Sequence, residues 1–200
     1  MRASTRRELI AGPAGRIECA VDEPERGAAS ARGVALIAHP HPLYGGTLDN
    51  KVVQTLARAF VELGYTAWRP NFRGVGASEG SHDEGRGEVD DLAALLAELQ
   101  ADRPVLAGFS FGAAVQTRLA QRIAPERMVL VGVAVNRLQA LPVPADTIVI
   151  HGEQDSTVPL ADVFAWARPQ DLPVVVIPGA DHFFHRRLHL LRAIVKGNWN

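Results

Sequence analysis

The chain has 200 residues, and its 21 basic and 22 acidic side chains give a formal net charge of −1. At about 100–200 residues per domain, this length predicts one domain spanning residues 1–200. The near-neutral charge offers no electrostatic basis for binding nucleic acid or an anionic membrane, so neither is expected as a partner. The single cysteine, Cys19, excludes an internal disulfide framework.

The first eight residues are charged, and no apolar stretch of signal-peptide length follows them. The longest apolar run, residues 128–135, is too short to span a bilayer. The sequence therefore predicts a cytoplasmic protein.

Taken in chain order, the hydrophobic pattern predicts an N-terminal hairpin and then strands that alternate with helices. Strands are predicted at residues 7–11, 16–21, 34–39, 65–72, 105–109, 128–135, 147–151 and 174–177. Helices are predicted at residues 50–63, 87–101, 112–123, 160–167 and 183–196. This alternation favours a mostly parallel sheet with helices on both faces. Ligands bind at the carboxyl ends of the strands in such sheets, so the residues that follow each strand are the candidates for a site.

A Gly-x-Ser-x-Gly motif follows the fifth predicted strand, where residues 108–112 read Gly-Phe-Ser-Phe-Gly. A serine on a sharp turn between a strand and a helix needs small neighbours on both sides, and the two glycines provide them. The dinucleotide pattern Gly-x-Gly-x-x-Gly and the phosphate-loop lysine are both absent. The motif predicts that Ser110 is a nucleophile.

A nucleophilic serine needs a base, and the base needs an acid that orients it. Asp155 follows the seventh predicted strand and His182 follows the eighth, at the sheet edge that carries Ser110. The chain order Ser110, Asp155, His182 is the order of the α/β-hydrolases. We therefore predict that His182 is the base and Asp155 is the acid.

Other residues compete for these two roles. Glu153 is the closer alternative for the acid, whereas Asp181 is adjacent to His182 and adjacent side chains rarely meet in the required geometry. His185 and His189 fall inside the last predicted helix, and His151 ends a strand, where it is expected to fix the following turn.

The loop after the third strand, His-Pro-His-Pro-Leu-Tyr-Gly-Gly at residues 39–46, supplies a backbone N–H to the oxyanion hole in this architecture. Pro40 and Pro42 have no N–H, which leaves His41, with Leu43 as the alternative donor. The expected oxyanion hole is therefore the N–H groups of Phe111 and His41. A metal site built from histidines 39, 41 and 182 with Asp155 is disfavoured, because the serine arrangement already uses two of these residues.

The sequence resembles the α/β-hydrolase superfamily from about residue 34 to its C-terminus. The matching segments are 38–52, Asn-Phe-Arg-Gly-Val-Gly-Ala-Ser-Glu-Gly at 71–80, 107–112, His-Gly-Glu-Gln-Asp at 151–155 and Gly-Ala-Asp-His at 179–182. The chain is similar in size to dienelactone hydrolases, which have a cysteine nucleophile where this sequence has Ser110. The resemblance implies an eight-stranded α/β-hydrolase core and a serine hydrolase mechanism. Within the second matching segment, Arg73 is expected to fix the loop rather than to bind substrate.

The leading hypothesis is hydrolysis of an ester, thioester or related acyl substrate, with no metal and no cofactor. The alternative is a catalytically silent scaffold or small-molecule binding protein, since fold alone does not imply function. Only residues 136–146 separate the sixth and seventh strands, where cap domains usually enter this fold, so we predict a site without a cap. Selectivity would then rest on loops at residues 40–49 and 73–86, or on a partner subunit in a homo-oligomer.

Overall fold

In a computed structural model, residues 5–25 and 27–199 form one eight-stranded sheet with helices on both of its faces. The strands are β1 (Arg6–Gly12), β2 (Gly15–Asp22), β3 (Val34–Ala38), β4 (Thr66–Pro70), β5 (Val105–Phe109), β6 (Met128–Val131), β7 (Ile148–Gly152) and β8 (Val174–Ile177). The helices are α1 (Lys51–Glu62), α2 (Arg86–Glu98), α3 (Phe111–Leu119), α4 (Leu160–Ala167) and α5 (Leu188–Gly197). The predicted fold class is confirmed.

The strand order across the sheet is β1-β2-β4-β3-β5-β6-β7-β8. The first two strands pair antiparallel with each other, and β2 pairs antiparallel with β4. All pairs from β4 to β8 are parallel, so the carboxyl ends of β3, β5, β7 and β8 meet at one edge. The loops that carry the candidate residues leave the sheet from this edge.

Two apolar layers hold the helices against the sheet. Helices α1 and α5 pack on one face, where Phe60, Leu191 and Val195 are almost fully buried. Helices α2, α3 and α4 pack on the other face through residues that include Leu92 and Val115. Central strands are buried on both faces, which explains their continuous apolar sequences.

Three predicted elements have one end that lies four or five residues from the observed one. Strand β6 stops at Val131 rather than residue 135, because Gly132 turns the chain with a φ of 53°. Helix α3 ends at Leu119, and residues 120–123 continue as turns. The last helix begins at Leu188 instead of residue 183, because Phe184 and Arg186 take left-handed backbone conformations.

Within the part of the chain that the structure describes, no independently folded cap covers the sheet edge. Residues 132–147 between β6 and β7 contain neither a helix nor a strand, and they pack Leu138 into the core. The prediction of a core without a cap domain is confirmed. Among the helices of the described part of the chain, none is long and apolar enough to cross a bilayer.

Candidate active site

Ser110 occupies a strained turn between β5 and α3. Its φ of 55° and ψ of −117° lie outside the regions that non-glycine residues normally occupy. Three hydrogen bonds hold this turn: the Ser110 N–H donates to Val131 O at 2.9 Å, while its carbonyl accepts from Ala114 N at 3.2 Å and Ala134 N at 3.3 Å. The strain projects the hydroxyl from the end of the central strand, as the motif predicts.

The two glycines of the motif are required by close backbone contacts. A Cβ on Gly112 would lie 2.4 Å from the carbonyl oxygens of Ala38 and His39. A Cβ on Gly108 would lie 2.6 Å from the backbone nitrogen of Ala113. The first turn of α3 therefore packs directly on the end of β3, which places Phe111 beside the loop that follows β3.

The structure brings Ser110 and His182 together from positions 72 residues apart. His182 Nε2 lies 3.0 Å from Ser110 Oγ, and its Nδ1 lies 2.6 Å from Asp155 Oδ2. Because a carboxylate accepts hydrogen bonds, these partners assign the proton to Nδ1 and leave Nε2 as the acceptor of the serine hydroxyl. An imidazole in this state can take the hydroxyl proton as the oxygen attacks an electrophile.

Asp155 is buried, and both of its carboxylate oxygens have partners. Oδ1 accepts from the N–H groups of Thr157 at 2.9 Å and Val158 at 2.8 Å, while Oδ2 accepts from His182. Burial opposes ionisation, but the hydrogen bonds from His182 and Val158 outweigh it and lower the pKa of this carboxyl below its usual value. Asp155 is therefore an oriented anion.

The other candidates for base and acid lie elsewhere. Glu153 accepts a hydrogen bond from Gly179 N at 2.8 Å, and Asp181 Oδ2 lies 2.6 Å from His185 Nδ1. The prediction that His185 lies in the last helix is wrong, because the turn that precedes α5 contains it. His189 does lie in α5, where it is exposed.

His151 is fully buried behind the acid. Its Nε2 lies 2.9 Å from Val158 O and 3.4 Å from Asp155 Oδ2. The imidazole thus holds the loop that carries Asp155, as predicted, and also contacts the carboxylate itself. Burial lowers the pKa of His151, so the ring is neutral and its Nε2–H is the donor.

A second buried histidine, His39, shapes the loop after β3. Its Nε2 accepts from Phe72 N at 2.9 Å, and its Nδ1 lies 2.6 Å from Pro40 O. Burial lowers its pKa to about 4, so the ring is neutral and supplies the one donor and one acceptor that these partners need. Sequence reasoning considered His39 only as a metal ligand and missed this structural role.

The two backbone N–H groups of the expected oxyanion hole have no acceptor in the described residues. Within residues 5–25 and 27–199, neither Phe111 N–H nor His41 N–H donates a hydrogen bond to another protein group. The alternative donor, Leu43 N–H, is directed to His41 Nδ1 at 3.2 Å. The rings of His41 and Phe111 lie 4.7 Å apart, so their two main-chain segments are neighbours.

A group of side chains that the sequence did not single out adjoins this loop. Glu88 is fully buried, and its Oε1 lies 2.7 Å from His82 Nδ1. The His82 ring lies 4.8 Å from His41 and 5.4 Å from Phe111. Glu88 also accepts from Gly85 N at 2.9 Å at the start of α2, but Gly85 has no side chain to complete a capping box, so the sequence offered no such signal for this group.

Arg73 and Cys19, which the sequence also brought into consideration, lie in environments that indicate structural rather than catalytic roles. Arg73 binds both carboxylate oxygens of Asp91, at 2.7 and 2.8 Å, which fixes its loop against α2. Burial raises the pKa of Cys19 in β2 to about 12, so its thiol is protonated. Among the residues that the structure describes, no three His, Cys, Asp or Glu side chains are grouped to hold a metal ion.

Comparison with known proteins agrees with this architecture. Residues 36–142 match the alpha/beta hydrolase family. The chain is also 36% identical over 193 residues to an uncharacterized protein of Rickettsia prowazekii, covering 86% of this chain and 79% of that protein. The chain belongs to the alpha/beta hydrolase family.

Two solved structures are similar over almost their whole length. An alpha-beta serine hydrolase homologue from Coxiella burnetii has a TM-score of 0.90 and 38% identity, with 100% of each chain covered. An α/β serine hydrolase without a lid from Xanthomonas campestris has a TM-score of 0.89 and 37% identity, with 99% of this chain and 94% of that chain covered. These relatives support hydrolase activity and a core that lacks a lid.

Proposed function

We propose that this protein is a serine hydrolase of small esters, thioesters or related acyl compounds, acting as a single domain without a cofactor. The observation that carries the proposal is the continuous hydrogen-bonded series from Ser110 Oγ through His182 to Asp155, at 3.0 and 2.6 Å. Each member is at most 8% exposed, so water competes little for these hydrogen bonds.

The first half of the reaction forms an acyl-enzyme. Ser110 Oγ attacks the acyl carbon while its proton passes to His182 Nε2, and Asp155 stabilises the imidazolium that results. The carbonyl oxygen becomes an oxyanion that accepts hydrogen bonds from the N–H groups of Phe111 and His41. The intermediate collapses as His182 returns the proton to the leaving oxygen or sulfur, and Ser110 keeps the acyl group.

The second half releases the acyl group. Water enters the position that the leaving group vacated and gives a proton to His182 as it attacks the acyl carbon. The new oxyanion uses the same two N–H donors. Collapse frees a carboxylic acid, and the proton returns from His182 to Ser110. Neither half requires an oxidant, a metal or an organic cofactor.

A panel of para-nitrophenyl acetate, an acyl thioester and a simple lactone tests the proposal. We expect turnover of at least one substrate, and losses of about 10⁴-fold or more in kcat/KM with Ser110→Ala and His182→Ala. Ser81→Ala and His189→Gln, at exposed positions, serve as matched controls and keep wild-type rates. Turnover that survives Ser110→Ala would contradict the proposal. No turnover, with a metabolite that raises the Tm, would favour a binding protein.

A further inference from the structure

A basic rim, which we define as His41, His82 and Arg137, lies beside the proposed oxyanion hole. The His41 ring contacts the ring of Phe111 at 4.7 Å and that of His82 at 4.8 Å. Tyr44 extends the group, since its ring lies 4.8 Å from His41 and 5.6 Å from Arg137 Cζ. Three side chains that can carry positive charge therefore form a continuous series with Tyr44 and Phe111, the residue that follows Ser110.

The carboxylate that contacts His82 is buried, and the carboxylates of Asp83 and Glu84 in the same loop pair with Arg86. Glu88 is fully buried, and its carboxylate accepts from His82 Nδ1, from Asp83 N at 3.0 Å and from Gly85 N at 2.9 Å. With Nδ1 bonded to Glu88, His82 keeps its Nε2 as a second polar atom on the ring. The contact with Glu88 fixes the orientation of the His82 ring.

Arg137 is exposed and stands over an aromatic face rather than beside an acid. In the described part of the chain, no carboxylate lies within ion-pair distance of its guanidinium. The charge of Arg137 acts on His41: burial lowers the pKa of His41, and His82 and Arg137 add to that effect. Arg137 lies in the loop whose Ala134 N–H donates to Ser110 O at 3.3 Å. An arginine that lacks an acid can pair with a carboxylate on a ligand.

We propose that the basic rim binds a carboxylate of the substrate, so that the preferred substrates are small esters that carry a negative charge. Arg137 forms the main ion pair, His82 lines the site in the orientation that Glu88 fixes, and the exposed ring of Tyr44 contacts the body of the substrate. This inference rests on the proposed hydrolase function and adds the substrate class. Neutral esters would reach Ser110 but would leave the basic rim without a partner.

Pairs of substrates that differ only in charge test the inference. In the first pair, meta-acetoxybenzoate carries its charge on the leaving group and meta-acetoxybenzamide is the neutral counterpart. In the second pair, monophenyl terephthalate carries its charge on the acyl group, and the neutral counterpart has a primary amide in place of the free carboxylate. All four release a phenol that absorbs in the ultraviolet. The aromatic spacers are rigid, so the carboxylate cannot attack its own ester.

We expect the wild-type protein to favour the carboxylate over the amide by about tenfold or more in kcat/KM for at least one pair, which corresponds to a hydrogen bond to a charged group. Arg137→Gln should reduce that ratio to near one, and Arg137→Lys should retain part of it. The control is Arg103→Gln, because Arg103 is exposed ahead of β5 at the opposite sheet edge.

Equal rates within both pairs, or a ratio that Arg137→Gln leaves at the wild-type value, would overturn the inference. In either case the hydrolase proposal stands, because the neutral esters that carry an amide still report ester hydrolysis that depends on Ser110. If none of the four substrates reacts and a fluorophosphonate does not label Ser110, the hydrolase proposal fails and the inference fails with it.

Discussion

His182 Nδ1 lies 2.6 Å from Asp155 Oδ2, and this contact fixes which nitrogen of the imidazole faces Ser110. The Asp155 carboxylate is fixed in orientation, because its Oδ1 atom accepts hydrogen bonds from two backbone N–H groups. The loop after β7 therefore acts as a rigid holder for one ring orientation.

Asp155→Asn should keep the fold and remove this control of the tautomer. An amide that donates to Nδ1 moves the imidazole proton to Nε2, which can then no longer accept from the serine. We expect kcat to fall by about 10⁴-fold with little change in KM. Steady-state kinetics on a neutral ester provide the measurement. Asp181→Asn is the matched control, because Asp181 pairs with His185. Equal activity in the two variants would contradict the role of Asp155.

The backbone donor at position 41 can be removed by proline. The φ of His41 is −54°, which suits proline, and the substitution deletes the N–H together with the imidazole. His41→Ala deletes the imidazole alone. On a neutral ester, we expect kcat of His41→Pro to be about 10²–10³-fold below that of His41→Ala. Similar unfolding midpoints would show that both variants are folded. Equal kcat values would exclude His41 N–H from the oxyanion hole.

Gly112→Ala tests the packing of the nucleophile turn on β3. The new Cβ would meet two carbonyl oxygens at 2.4 Å, and backbone atoms cannot rotate away as a side chain can. We expect a loss of about 1–3 kcal/mol in the free energy of unfolding in urea. Gly33→Ala is the control, since its Cβ would lie 3.9 Å from the ring of Tyr65. Equal stability of the two variants would show that the turn and β3 are less tightly packed.

The pKa of His39 predicts a component of acid sensitivity. Burial lowers the folded-state pKa from 6.5 to about 4, so between these values the unfolded chain binds a proton that the folded protein excludes. This contribution to stability is complete above pH 6.5 and is lost as the pH falls toward 4. Its full size is about 3 kcal/mol.

The free energy of unfolding, measured in urea across that pH range, checks this component. His39→Gln removes the titrating group, so its stability should fall less with acid than that of the wild type. His189→Gln, in the exposed histidine of α5, should retain the wild-type dependence. A His39→Gln profile parallel to that of the wild type would contradict the assignment.

The sequence predicted the fold and the three proposed catalytic residues because their signals are local. The Gly-x-Ser-x-Gly motif lies between an apolar strand and a helix, and the positions of Asp155 and His182 follow from where their strands end. The predicted C-terminal end of β6 lies beyond the observed one. Apolar residues continue to Val135, whereas the backbone of Gly132 turns and ends the strand pairing.

The basic rim and the role of His39 could not be predicted in the same way. His41, His82 and Arg137 come from three loops that are far apart in the sequence, and only tertiary packing joins them. His82 and Arg137 each lie in a loop without a periodic pattern, where a solvent-exposed polar side chain is the default expectation. The partners of His39 are backbone atoms of Pro40 and Phe72, and a sequence does not display such contacts.

Covalent labelling tests the central claim most directly. A fluorophosphonate reacts with an activated serine, so incubation with the wild-type protein should add one probe mass, which peptide mapping should place on Ser110. Ser110→Ala should remain unlabelled under the same conditions, and Ser81→Ala should be labelled as the wild type is. A wild-type protein that stays unlabelled, or a label that persists in Ser110→Ala, would contradict the account.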